Sequence, residues 1–155
     1  MSAGNSTPQI LRTETQIRDL FAGLNVPRDI LDRKLPEWIS LEKMAVEVVT
    51  TSQVQVLGWA DNGKYKLPLI GMSFGNRDPK APVLGLYGGV HGLERIGSQV
   101  VLALGKSFSE MLLGDKLMQD ARSRICVSFF PMVNPLGIFH KSRANPAGVD
   151  LMRNA

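Results

Sequence analysis

Two short apolar runs, Val83-Leu-Gly-Leu-Tyr87 and Ile125-Cys-Val-Ser-Phe-Phe130, bracket a long stretch of helical spacing. This arrangement constrains the fold more than any other feature of the chain. Unalternating apolar runs of this length suit strands buried on both faces. Between them, Val100, Val101, Leu104, Phe108, Met111 and Leu112 repeat as one face of a helix over residues 94–113. Gly114-Asp115 interrupts it, and Leu117 and Met118 mark one further turn. Strand, helix, strand in that order predicts a βαβ unit with parallel pairing and a right-handed crossover.

Upstream the pattern differs. Ile17, Leu20, Phe21 and Leu24 share one face of a short helix, and a second spans residues 28–35 until Pro36 stops it. Residues 45–50 and 54–60 alternate in strand fashion, Asp61-Asn62-Gly63 is a hairpin turn, and residues 65–74 return antiparallel. Pro68 in the return strand implies an edge position or a bulge. The expected fold is therefore α/β, a three-layer α/β/α arrangement around a mixed central sheet. Residues 1–43 form an N-terminal helical segment, and residues 44–155 carry the sheet.

Composition excludes several classes. With 155 residues, 44% hydrophobic and 21% charged, the chain is ordinary globular material. One cysteine, Cys126, makes neither an intrachain disulfide nor a cysteine-based zinc cluster. No apolar run approaches a membrane span. The first eight residues lack a basic region followed by an apolar one, so the expected compartment is the cytoplasm. The net charge of +4 lies wholly in the last 35 residues, where Arg122, Arg124, Lys141, Arg143 and Arg153 face Asp150 alone. So small and local an excess suits a pocket for an anionic group better than a nucleic-acid track.

Two clusters carry chemistry. His91 and Glu94 stand three positions apart where the first buried strand passes into its helix. That spacing lets imidazole and carboxylate converge just beyond the strand's C-terminal end, where open α/β sheets bind ligands. One nitrogen and one oxygen donor suit zinc, and the plain alternative is a surface histidine beside a first-turn glutamate. Gly88-Gly89 and Gly92 allow a sharp turn that presents His91; with no Lys-Ser/Thr following, they make a poor phosphate cradle. The second cluster is Asn134-Pro-Leu-Gly137 followed by Arg143-Ala-Asn145-Pro-Ala-Gly148-Val-Asp150-Leu-Met-Arg153-Asn154. Its two arginines can grip a carboxylate or an oxyanion, with Asp150 holding one of them, or can belong to a solvated basic loop.

Taken together, His91-Gly-Leu-Glu94, Asn134-Pro-Leu-Gly137 and the stretch from Arg143 to Asn154 resemble, in order and spacing, the zinc carboxypeptidase family. The match is nearest its compact bacterial branch with the murein peptide amidases. Gly-Gly-Val-His-Gly-x-Glu also resembles the succinylglutamate desuccinylase and aspartoacylase relatives. The resemblance covers residues 64–155. It implies His91 and Glu94 as two of three zinc ligands and Arg143 as the group that polarises the scissile carbonyl. It further implies that Arg153 and Asn154 bind substrate, a peptide or acyl-amino acid with a carboxylate.

Three departures qualify it. Leu136 replaces an acid, and Met152 replaces the asparagine that shares carboxylate recognition. The family's third ligand and general-base glutamate lie downstream of position 155. The expectation is an N-terminal part of such a fold, incomplete at its C-terminus and inactive by itself, with a sheet edge open to a second copy. The different-class alternative is a non-catalytic anion-binding or interaction domain. His140, the other histidine, reads as a loop residue or a substitute third ligand, and Cys126 as a small strand residue.

Overall fold

The computed structural model describes residues 7–154; most of the stretch read for a leader, residues 1–6, lies outside them, as does Ala155. Five strands, β1 (Gln9–Leu11), β2 (Gln53–Asp61), β3 (Lys66–Gly75), β4 (Val83–Tyr87) and β5 (Cys126–Phe130), form one mixed sheet. Their spatial order is β1-β2-β3-β5-β4. Only β4 and β5 run parallel, Leu86 beside Phe129 and Tyr87 beside Phe130. They are joined through α4 (Arg95–Gly114) and α5 (Lys116–Ala121) as the spacing predicts. The α/β class and the mixed sheet are both realised.

The hairpin of β2 and β3 forms at Asp61-Asn62-Gly63, where Gly63 has φ 82°. A register shift between Val56 and Gly58 makes the bulge, a short way from Pro68. β5 pairs with β3 only over Met72 to Gly75, so Pro68 sits where β3 has one neighbour and its missing N–H leaves no ladder bond unmade.

Four readings are corrected. Residues 45–50 are not strand: α3 (Glu37–Val48) runs through 45–48 and across the 43/44 boundary, and Val49 and Thr50 form the turn after it. Trp38, Leu41, Met44, Ala45 and Val48 are buried along one side of that helix, a 3.6-residue stripe that outweighs the local alternation. Pro36, after closing α2 (Arg28–Lys34), opens α3 as its N-cap. Asn134-Pro-Leu-Gly137 is not loop but the start of α6 (Pro135–His140), with Asn134 as N-cap and proline in the first turn. Finally, β4 is not buried on both faces. It is the sheet's edge, with Val83, Leu84 and Tyr87 each more than half exposed.

One core joins the helices to the sheet. α1 (Glu14–Ala22) starts on a full capping box of Thr13 and Gln16, and like α4 it packs against α3. Beneath α4, Phe74, Phe108 and Phe129 meet with ring centroids 5.6–5.7 Å apart. Burying such a side chain stabilises by roughly 1.5–3 kcal/mol. Parallel pairing sets the C-terminal ends of β4 and β5 side by side. Among the described residues, no helix is long and apolar enough to cross a membrane.

Candidate active site at the ends of β4 and β5

Backbone hydrogen bonds lace the two strand ends together. Gly88 N–H donates to Phe130 O, Val133 N–H to Gly88 O and Asn134 N–H to Gly89 O, each at 2.9 Å. Gly89 takes φ 64°, which glycine adopts at little cost. Gly92 has a different reason to be glycine: a Cβ there would collide with the Gly137 carbonyl in α6. Its N–H donates to Ser142 O at 2.9 Å, tying the turn to the following loop. His91 is thereby held 7% exposed. Glu94 is the N-cap residue of α4, yet its side chain makes no capping bond and turns to the site instead. The next residue, Arg95, grips the buried Glu37 with two of its nitrogens and also donates to Lys34 O at 3.1 Å. Burial pushes the Glu37 carboxyl up, but hydrogen bonds from Arg95, its own backbone and Gln99 win and hold it below the usual glutamate value.

Asp150 is the hub of the second cluster. Its Oδ1 lies 3.1 Å from His91 Nε2, and its Oδ2 accepts from Arg143 Nε at 2.7 Å. Arg153 Nε stands 3.6 Å from the same Oδ2, and Arg143 Nη1 stands 3.8 Å from Glu94 Oε1. The Arg143 hydrogen bond, with help from His91 and the Met152 N–H, holds the Asp150 carboxyl far below the usual aspartate range. Reciprocally, Asp150 raises the Arg143 guanidinium. The loop is shaped by Asn145, whose Oδ1 accepts from Ala147 and Val149 N–H, and by Gly148 at φ 79°.

His91, Glu94 and Arg143 thus meet as the sequence predicts, with Arg153 beside them. Asn154 turns back and donates to Asp150 O at 2.9 Å. With Nε2 held by Asp150, His91 turns Nδ1 toward Glu94, 3.3 Å from Oε1. Two donors about 2.1 Å from a tetrahedral zinc lie roughly 3.4 Å apart, so this pair fits one edge of such a shell. The carboxylate on the far ring nitrogen is the usual support for a metal-binding imidazole. Among the described residues, no group of three or more His, Cys, Asp or Glu forms a fuller metal site. His140 does not join: its Nε2 lies 2.9 Å from Asn62 Nδ2. Burial, then the charges of Lys34 and Lys64, lower its pKa. Cys126 is a buried strand residue, Leu136 is core in α6, and Met152 is 64% exposed. Sequence reasoning missed the contact of Asp150 with His91, which no local spacing signals across 59 positions.

The family model for zinc carboxypeptidases matches residues 40–154. Among solved structures, a metallo-carboxypeptidase from Burkholderia cenocepacia is similar in fold, with a TM-score of 0.60 and 21% identity. The match covers 75% of this chain and 31% of that one, so the chain spans about a third of that structure's length. No curated protein sequence matches.

Proposed function

From the premise that the chain belongs to the zinc carboxypeptidase family, we propose that it carries the metal- and oxyanion-binding part of a zinc-dependent hydrolase. Its substrates are peptides or acyl-amino acids with a carboxylate. The observation that carries this reading is the pairing of His91 Nδ1 with Glu94 Oε1 at 3.3 Å while Asp150 holds both His91 Nε2 and Arg143. His91 and Glu94 would hold the zinc, which supplies Lewis-acid polarisation and a water acidified toward neutrality. Arg143 lies 3.8 Å from Glu94 and presents its guanidinium to an oxyanion formed there. One such donor contributes roughly 2.7–4 kcal/mol in a studied protease. Asp150 keeps Arg143 aimed and leaves Nδ1 of His91 for the metal. Arg153, 78% exposed at its side chain, is free to take a substrate carboxylate. Asn154 braces that end of the loop.

These residues are two zinc ligands of three, and no general base stands among the positions that match the family pattern. The 155 residues alone therefore hold zinc weakly and hydrolyse at background rate, and activity needs a further histidine and a carboxylate. Met152 leaves Arg153 with one hydrogen-bonding partner fewer for a terminal carboxylate, so the intact enzyme prefers another small amide to a free C-terminus.

Zinc content after dialysis, with hydrolysis of blocked and free-acid peptides, tests this on the gene product at its natural length. Stoichiometric zinc and hydrolysis, both lost on His91→Ala, are expected. Full activity without zinc overturns it. Two half-exposed or exposed guanidiniums on one loop favour, as the second reading, a non-catalytic anion-binding domain. That reading expects carboxylate binding without zinc or turnover. The exposed edge at Val83, Leu84 and Tyr87 supports pairing of β4 with a second copy of this 155-residue chain; sedimentation velocity should show a dimer, and a monomer overturns the pairing. The proposed compartment is the cytoplasm, where an unpaired cysteine is ordinary.

A further inference from the structure

Asn134 is 2% exposed, and all of its side-chain bonds run to backbone atoms of three different segments. Nδ2 donates to Val90 O at 3.3 Å, one residue before His91, and to Ala144 O at 3.2 Å, one residue after Arg143. Oδ1 accepts from Gly137 N–H at 3.0 Å and caps α6. Reversing the amide would set its oxygen against two carbonyl oxygens and its NH2 against an N–H, so the network permits one orientation. Only a carboxamide offers two donors and an acceptor in this reach. The backbone repeats the link, through Asn134 N–H to Gly89 O and Gly92 N–H to Ser142 O.

We propose that Asn134 is a positioning residue, whose amide clamps the His91 turn to the Arg143 loop and so sets the distance between the metal-binding pair and the oxyanion donor. The inference rests on the functional reading above for its purpose, and on these hydrogen bonds for its geometry. Helix capping alone would need the oxygen only. The nitrogen, whose hydrogen bonds go to Val90 O and Ala144 O and not to α6, is what joins the two halves of the site.

Asn134→Asp separates the two roles, since it retains the capping oxygen and removes both donors. Backbone amide exchange, followed by NMR on the metal-free chain, reads the result. The expected outcome is exchange at Gly92 faster by roughly tenfold or more, as two buried amide bonds are lost together. Gly137 and the rest of α6 should stay protected. Ile138→Val, which loosens α6 by packing alone, should instead leave Gly92 slow relative to α6. Unchanged Gly92 exchange in folded Asn134→Asp would overturn the clamp and leave a cap. Should that variant fail to fold, the unmodified chain decides. Its Asn134 Nδ2 hydrogens must exchange as slowly as Gly92 N–H, and exchange at the rate of an exposed carboxamide overturns the proposal. No metal enters these measurements, so a failed zinc assay sinks the functional reading while the clamp is judged separately.

Discussion

In the turn 88–94 the backbone is its own support. Gly88, Gly89 and Gly92 let it pass within hydrogen-bond reach of residues 130–142, and His91 ends up buried. In the loop 142–154 the support is side-chain charge. Arg143 is 47% exposed and Arg153 78%, and both lean on Asp150. His91, of the proposed metal-binding pair, is thus built into the fold with Glu94 exposed beside it, whereas the two arginines are suspended from one carboxylate. Under the zinc reading, such a division fixes the imidazole that would hold the metal and leaves the groups proposed to face substrate free to adjust.

Matched substitutions test that contrast. The largest effect is expected from Gly92→Ala, because the new methyl meets the Gly137 carbonyl, which cannot move without α6. Overpacking of this kind costs roughly 3 kcal/mol, read by denaturant unfolding. A loss under about 1 kcal/mol would show the turn to be as pliant as the loop.

Next comes Glu37→Gln, which leaves Arg95, the anchor of the turn's far side, without its carboxylate. Hydrogen bonds to charged groups are worth about 2 kcal/mol, and that is the loss expected at neutral pH. Because the folded carboxyl titrates below its unfolded value, its contribution is complete above about pH 4.3 and fades as pH falls through the folded value. The gap between wild type and variant should therefore close in acid. A gap that persists at pH 2 would mean packing, not charge.

On the loop side, Asp150→Asn should weaken zinc binding roughly 10–100-fold in the zinc-competent protein, as loss of support to a ligating imidazole does. Chelator competition measures it. Unchanged affinity would show that the turn alone orients His91. The smallest effect belongs to Gly148→Ala. A Cβ there meets nothing within 4 Å, so only the strain of φ 79° remains, about 1 kcal/mol of unfolding free energy. A cost equal to that of Gly92→Ala would erase the contrast.

The same contrast explains what could be read in advance. The βαβ unit, the hairpin and the meeting of His91, Glu94 and Arg143 were legible because each rests on local spacing plus a strand end. α3 was misread over residues 45–48 because Ala45-Val-Glu-Val48 alternates locally, while the deciding partners Trp38 and Leu41 lie a turn or two upstream. β4 looked interior because an apolar run records what a strand can bury, not how many neighbours flank it. β1 is three residues whose only pairing is with Val54, Gln55 and Val56, far along the chain. The helix at Pro135 did carry a local signal, an asparagine followed by proline, which is an N-cap and a first helical residue. Asp150 beside His91 carried none.

The hub at Asp150 also sets the electrical character of the site. The carboxylates of Glu94 and Asp150 and the guanidiniums of Arg143 and Arg153 cancel within this cluster, which leaves the wider positive excess of the last 35 residues to attract an anion. A divalent cation on His91 and Glu94 would tip the cluster itself positive and draw a carboxylate in more strongly by long-range steering. Under the zinc reading, affinity for an anionic substrate therefore rises when the metal binds. By linkage the dependence is mutual, and a bound carboxylate raises the affinity for zinc by the same factor.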